Sequence, residues 1–391
     1  METNGDNVIR RSGGISKTIF ILSLVIVAAV SGVSGYFVSG FLKPSTPFIT
    51  LNGAGATFPY PFLSAVSVNY TRNNPNVQIN YQSIGSGGGV KDLITKIVDF
   101  AASDRPLTGQ QQNATNAPNS LHIPETIGSV VFAYNLPKAS GGTIPKGLNL
   151  TGTVIAGIFL GNITNWNDPA ITNLNPGFTL PNKVITVVHR SDGSGTTFVW
   201  TSYLSLVSQT WNNAYGAGTA VSWPGLNGNS LGSSGNEGVA GTIRGNQFFA
   251  GYVELAYALQ NSMSYAYIKN PTGNFIEPTL ASTKAALNTI SSLPAGNASW
   301  TSVSLLNSMD PSAYPIASFT YLLVYRELNV LPDMTQTKAK ALVDFLWFVI
   351  HSPGGQDLGP ALGYVPLPSL ATTIDETTIK SITFNGATLR S

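Results

Sequence analysis

A chain of 391 residues with 43% hydrophobic content holds enough apolar material for one large domain or two lobes. Only 10% of its residues are charged and the formal net charge is +2, which leaves no basic stripe for nucleic acid. Without cysteine there are no disulfides, thiolate metal sites, iron–sulfur clusters, cysteine nucleophile or lipid-modified cysteine anchor, and His122, His189 and His351 lack metal-ligand spacing. No metal and no cofactor are expected. Glycine (40) and proline (24), with abundant Ser, Thr and Asn, take the place of charge, and such a surface suits an acidic or otherwise harsh exterior.

At the N-terminus, Arg10, Arg11 and Lys17 precede Thr18–Leu42, which is 25 residues without a charge. Roughly 20 apolar residues span a bilayer and basic flanks stay on the cytoplasmic side. Residues 1–17 are therefore expected in the cytoplasm and 18–42 in the membrane. Ser31-Gly32-Val33-Ser34-Gly35 is also a small-residue run at which a signal peptide can be cut. Two fates stay open: an uncleaved single-pass anchor, or a removed signal that leaves a secreted protein. Either way the remainder is extracellular, after a short stiff linker at 43–47. Sequons at Asn69, Asn113, Asn149, Asn162 and Asn297 agree with an exported glycoprotein, although an Asn/Ser/Thr-rich chain also generates them by chance.

Beyond the linker, Gly53-Ala54-Gly55-Ala56-Thr57-Phe58 reads as a glycine-rich turn. Phe62, Leu63, Val66 and Tyr70 then recur at helical spacing, after prolines that a first turn tolerates. Val77, Ile79 and Tyr81 alternate as a half-buried strand does. A second glycine turn, Gly85–Gly89, leads into a helical stripe of Val90, Leu93, Ile94 and Ile97, and residues 99–104 read as a short strand ending in a carboxylate. Further strands are expected at Val130–Tyr134, Ile185–Val188, Tyr252–Leu255 and Thr320–Tyr325. Helices are expected at Val154–Leu160, Phe198–Val207, Gly238–Arg244 and Ala339–Ile350. Residues 210–235, rich in Gly, Asn and Ser, read as an irregular loop. Strand, glycine turn and helix in alternation is the α/β pattern, with ligand sites at strand ends.

The run His189-Arg190-Ser191-Asp192-Gly193-Ser194-Gly195-Thr196-Thr197 falls where a strand turns into a helix. An arginine offers a planar fork of donors, a helix start offers free backbone N–H groups, and small residues let an anion approach them. Taken singly, each glycine turn reads as a plain connection, and none matches a nucleotide or nucleophile motif. Phe58 replaces the third glycine of a dinucleotide fingerprint, and Val90 and Asp92 break a Walker loop. Neither Ser86 nor Ser194 lies in G-x-S-x-G. Together the turns point to an oxyanion held between them.

Gly53–Phe58, Tyr81–Gly89, Asp99–Asp104, Arg190–Thr197, Gly235–Ala240 and Gly251–Ala258, in this order, resemble the phosphate-binding proteins of the phosphate-specific ABC transporter. The resemblance runs from about residue 50 to 350. It implies a two-lobed periplasmic-binding-protein-like α/β fold of type II, each lobe a sheet flanked by helices; the N-terminal transmembrane helix expected from the apolar stretch, the missing anchoring cysteine and the Asn/Ser-rich loops depart from the family pattern. Lobe 1 would be residues 48–129 and 318–391, and lobe 2 residues 130–317. The resemblance also implies a ligand set. Thr57, Phe58 and Ser86 would donate from one lobe, Arg190, Ser194, Gly195 and Thr196 from the other, and Asp104 would face the ligand. Phosphate keeps a P–OH that can donate to Asp104, whereas sulfate has none. Asp192 is expected to hold Arg190 by an ion pair and His189 to be structural, while Glu237 and Glu254 cap helices or bridge lobes.

The function implied is a non-enzymatic extracytoplasmic receptor that captures inorganic phosphate and hands it to membrane permease subunits. A separate cytoplasmic ATPase would drive uptake, and the receptor is expected to be a monomer. Two other functional classes meet obstacles in the sequence. A secreted phosphoesterase needs a metal cluster or an activated nucleophile, which the scattered histidines do not supply. A surface adhesin would have a crevice that Arg190 does not line.

Overall fold

The computed structural model describes residues 48–113, 120–138 and 141–391. The expected cytoplasmic segment, the apolar stretch 18–42 and the linker 43–47 lie outside the described residues. Among the described residues no helix is long and apolar enough to cross a membrane.

The principal elements follow one another as β1 (Ile49–Gly55), α1 (Tyr60–Asn73), β2 (Val77–Ser83), α2 (Ser86–Ile94), β3 (Phe100–Ser103) and β4 (Ser120–Tyr134). Then come α3 (Gly152–Leu160), β5 (Thr186–Arg190), α4 (Gly195–Val207), β6 (Ser230–Ser233), α5 (Gly235–Gly245), β7 (Phe249–Glu254) and α6 (Leu255–Gln260). β8 (Ala317–Tyr325), α7 (Gln336–Ile350) and α8 (Ser369–Lys380) close the chain. The mixed α/β class read from the sequence is the class observed.

Four readings of local structure change. The first glycine turn is the end of β1: Gly53–Gly55 pair on one side with Tyr81–Ser83 and on the other with Phe100–Ala102. A central position in the sheet overrides the poor strand propensity of glycine. The second glycine turn is itself the first turn of α2, and Ile97, 69% exposed, lies beyond that helix. Leu255 starts α6 instead of ending β7, because Glu254 caps that helix. Within 210–235, expected to be irregular, β6 pairs in parallel with β5 as an edge strand of mostly small residues. A helix over Gln209–Ala214 also overlaps it, capped by Ser208 and anchored by buried Trp211.

The main sheet runs in the order β2-β1-β3-β8-β4-β7-β5-β6. β1, β2 and β3 are parallel to one another, as are β5, β6 and β7, and β4 and β8 run antiparallel between these two groups. β4 joins the two halves. Its residues up to Ser129 pair with β8, and from Val130 onward they pair with β7.

Each half buries an aromatic cluster. On one side Phe100 meets Tyr81 and Phe345, and Tyr70 packs edge-on against Phe345 and Phe348 of α7. On the other, Trp200 of α4 stacks on Tyr252 of β7 with ring centroids 5.3 Å apart and planes 15° from parallel, flanked by Phe132 and Phe159. Trp200 seats the helix whose N-terminus carries Ser194–Thr196. Replacing a fully buried aromatic with alanine costs about 3–5 kcal/mol. We therefore expect Trp200→Ala to lower stability by that amount, read as a shifted midpoint in guanidinium denaturation.

Candidate anion-binding site

The ends of β1, β2, β3, β5, β6 and β7 converge on one buried cluster. Thr57, Ser86, Asp104, Arg190, Ser194 and Thr196 are all at most 3% exposed. Small residues make the closeness possible. Gly85 has φ 85°, a conformation that favours glycine, and a Cβ there would fall 2.3 Å from Asp192 Oδ2. A Cβ on Gly195 would lie 2.4 Å from Ser86 Oγ and 2.5 Å from Asp104 Oδ2. With glycine at both places, the turns touch directly, and the backbone N–H of Gly87 donates to Gly193 O at 2.8 Å.

Ser86 Oγ accepts the backbone N–H of Asp104 at 3.2 Å and that of Gly195 at 3.1 Å, so it ties β3 and α4 to the start of α2. Asn236, fully buried at the start of α5, donates to Thr57 Oγ1 at 2.8 Å and to Thr196 Oγ1 at 3.0 Å. Its own Oδ1 accepts the Glu254 N–H at 3.1 Å. Ser194 caps α4, accepting the Thr197 N–H at 3.0 Å. Phe58 sends its ring into the core beside Tyr364, and its carbonyl accepts the Tyr364 hydroxyl at 2.6 Å. Tyr257 does the same for the Thr57 carbonyl at 2.6 Å.

Two charged groups dominate the electrostatics. The Arg190 guanidinium has no solvent exposure; its Nε donates to Asp192 Oδ1 at 2.7 Å and Nη2 donates to Asp192 Oδ2. Burial pushes the Asp192 carboxyl up, but the guanidinium outweighs it and holds Asp192 below the ordinary carboxylate range. Asp192 also accepts the Gly235 N–H at 3.1 Å, fixing the start of α5. Asp104 accepts the Thr320 hydroxyl on Oδ1 at 2.9 Å. Burial raises its carboxyl from 3.8 to about 7, against the pull of Thr320, Arg190 and Ser86. Arg190 Nη1 and Asp104 Oδ2 are buried and without a partner. One strong donor and one acceptor thus remain unsatisfied within the cluster.

The structure brings Thr57, Ser86, Asp104, Arg190, Ser194, Gly195 and Thr196 together, while the Phe58 ring lies in the core. Asp192 pairs with Arg190, and His189 stacks on Trp223 at 4.7 Å while its Nδ1 meets the Arg190 carbonyl. Glu254 both caps α6, accepting the Ala256 N–H at 2.8 Å, and accepts from Tyr364 of the C-terminal region at 3.0 Å. Glu237 sits in the first turn of α5. Asn236, Tyr257, Tyr364, Thr320 and Glu125 were not read from the sequence. Asn236 falls within Gly235–Ala240 and Tyr257 within Gly251–Ala258, and the Asn236 side chain can donate and accept at once. Thr320 and Glu125 come from strands distant in sequence and Tyr364 from the C-terminal region, so no local spacing ties them to the site.

With this geometry in place, comparison with known proteins is informative. The profile of the PBP superfamily domain matches residues 39–350. The phosphate-binding protein PstS of Pasteurella multocida is 41% identical over 324 residues, covering 82% of this chain and 86% of that protein. The chain belongs to the phosphate-binding protein family. The family member from Methanocaldococcus jannaschii is 35% identical over 375 residues, 94% of either chain. Among solved structures, the phosphate-binding protein of Stenotrophomonas maltophilia superposes with a TM-score of 0.63 at 21% identity, covering 84% of this chain and 93% of that one. That likeness shows the fold.

The raised Asp104 carboxyl makes a prediction with a definite sign. A carboxyl whose pKa rises on folding favours the folded state at low pH and loses that contribution as pH climbs through the folded value. In phosphate-free buffer, Asp104→Asn should therefore gain stability relative to wild type as pH rises from about 4 to about 7, and the difference should level off above. Urea midpoints measured across pH 4–8 give the answer, and a difference that does not change with pH would contradict the buried-acid assignment.

Proposed function

We propose that this protein is an extracytoplasmic receptor that captures inorganic phosphate in the cluster around Arg190 and Asp104 and delivers it to an ABC permease. The observation that carries this reading is the buried, unpartnered pair of Arg190 Nη1 and Asp104 Oδ2 within a ring of hydroxyl and helix N–H donors. A tetrahedral anion with one residual proton matches both. Its oxygens accept from Arg190, from the hydroxyls of Thr57, Ser86, Ser194 and Thr196, from the N–H of Phe58, and from the N–H of Gly195 once that group turns from Ser86 Oγ to the anion. Its P–OH donates to Asp104. Because Asp192 already balances Arg190, the anion's charge is met by neutral dipoles held rigidly in a dry site.

Sulfate offers no proton and would face Asp104 lone pair to lone pair, and an analogue that leaves a buried polar group unpaired is rejected by about 10⁴–10⁵-fold. Arsenate carries the same proton, so Asp104 does not discriminate against it. The family is one of transport receptors and not of enzymes. Uptake needs permease subunits and a separate ATPase, since the Gly85–Lys91 run is not a Walker loop.

The finer organisation belongs to the same reading. Residues 48–129 with 318–391 form lobe 1 and residues 130–317 form lobe 2 of a type II binding fold that closes on the anion as a monomer. The transfer of β4 from β8 to β7 between Ser129 and Val130 supports that boundary. The stretch 18–42 serves as a single-pass anchor, and the exposed sequons Asn162 and Asn297 are the candidates for glycosylation. Mass spectrometry of the membrane-extracted protein shows whether residues 18–42 are retained and whether those sites are modified.

Calorimetric titration of residues 48–391 with phosphate should give tight binding, and Arg190→Ala should abolish it. Asp104→Asn should narrow the phosphate-over-sulfate preference. An unchanged preference would remove Asp104 from the selection, and unchanged affinity in Arg190→Ala would remove Arg190 from the site.

A further inference from the structure

The ladder between β4 and β8 is irregular at one point. Thr320 faces Thr126 and Tyr321 faces Pro124, so Glu125 is the extra residue of a β-bulge. Bulges re-aim a side chain and cluster next to binding sites. Glu125 is fully buried, and its Oε1 lies 3.3 Å from Thr320 Oγ1, the same hydroxyl that donates to Asp104 Oδ1 at 2.9 Å. The bulge is braced from behind, since Gln356 Nε2 donates to the Glu125 carbonyl at 2.9 Å.

The hydroxyl of Thr320 has a single hydrogen for two carboxyl groups. Given to Asp104, the shorter contact, it leaves Thr320 with only lone pairs for Glu125. Glu125 then satisfies Thr320 only by carrying a proton itself. We infer that Glu125 is a positioning residue of the phosphate site: as a neutral acid it donates to Thr320, which donates to Asp104, so that Asp104 is held as an ionised acceptor for the ligand's P–OH. This inference rests on the receptor reading above.

The surroundings agree. Burial raises the Glu125 carboxyl well above its ordinary value, and the neighbouring Asp104 charge adds to this against the Thr320 hydrogen bond. The other groups near the relay are Arg190 from β5, Glu254 from β7, Tyr81 from β2, Tyr321 from β8, Tyr257 from α6 and Tyr364 from the C-terminal region. Arg190 is the single cation among them, and it lies on the Asp104 side. Ionising Glu125 would turn the Thr320 hydrogen away from Asp104 and place a second negative charge behind the site, weakening phosphate binding as pH rises.

The test is calorimetry with phosphate and sulfate on residues 48–391, with thermal unfolding by circular dichroism to check that each variant is folded. Glu125→Leu and Thr320→Val should each lose roughly 10- to 100-fold in phosphate affinity, as for a severed hydrogen bond to a charged group, whereas Glu125→Gln and Thr320→Ser should recover most of it. Gln keeps the donor but cannot ionise, so its affinity relative to wild type should improve as pH rises. Glu125→Gln failing as badly as Glu125→Leu would show that a carboxylate is needed and overturn the inference. So would a phosphate affinity and phosphate-over-sulfate ratio in Thr320→Val equal to wild type. A wild-type protein silent to phosphate would overturn the receptor reading, and this inference with it.

Discussion

A guanidinium with no solvent exposure is the constraint around which this molecule is arranged. Stripped of water, Arg190 requires a partner, and Asp192 two residues away supplies both oxygens. Removing one member of a fully buried pair costs about 3–5 kcal/mol because the other is left uncompensated, and the 18% exposure of the Asp192 side chain lowers that cost here. The pair is close to neutral as a unit, so it organises the site without making it a bare positive well. Asp192 extends the order outward by fixing Gly235, the residue before Asn236. Asn236 in turn binds Thr57 from the first strand-to-helix junction and Thr196 from α4. One ion pair thus passes its geometry to donors that are far apart in sequence.

The sheet explains how so many polar side chains meet in a place that excludes water. Parallel strands present their C-terminal ends on a common edge, and each following helix begins there with unpaired N–H groups. β8, antiparallel to β3, and β4, antiparallel to β7, contribute side chains from strand middles instead. Thr320 and Glu125 enter the cluster by that route, the second through a bulge. The site has two layers: short polar turns at the strand ends, and an acidic layer beneath them buried inside the sheet.

Much of this was legible in the chain itself. The Arg190–Thr197 run reads as a strand-to-helix junction because both the arginine and the small residues are local, and the structure shows β5 ending at Arg190 and α4 starting at Gly195. The helical stripes of α1 and α7 were readable for the same reason: their buried residues recur at helical spacing. Gly53–Gly55 was misread because glycine signals a turn locally, while pairing with strands on both sides makes it extended. Thr320 was invisible because its partner Asp104 lies 216 residues earlier. No window of sequence links a threonine in an apolar strand to a carboxylate that distant. Glu125 is a charge in an otherwise buried strand, which is a signal, but the bulge that turns it inward exists only once β8 is paired.

The position of β8 bears on how the chain is assembled. It lies between β3 and β4, which are far earlier in sequence, so those two strands have no neighbour on their facing edges until residues 317–325 have been made. The half that begins the described chain is therefore among the last parts to close. Contacts of such long sequence separation form slowly. The early strands therefore keep open edges until some four-fifths of the chain has been made, so folding of the first half waits on the end of synthesis.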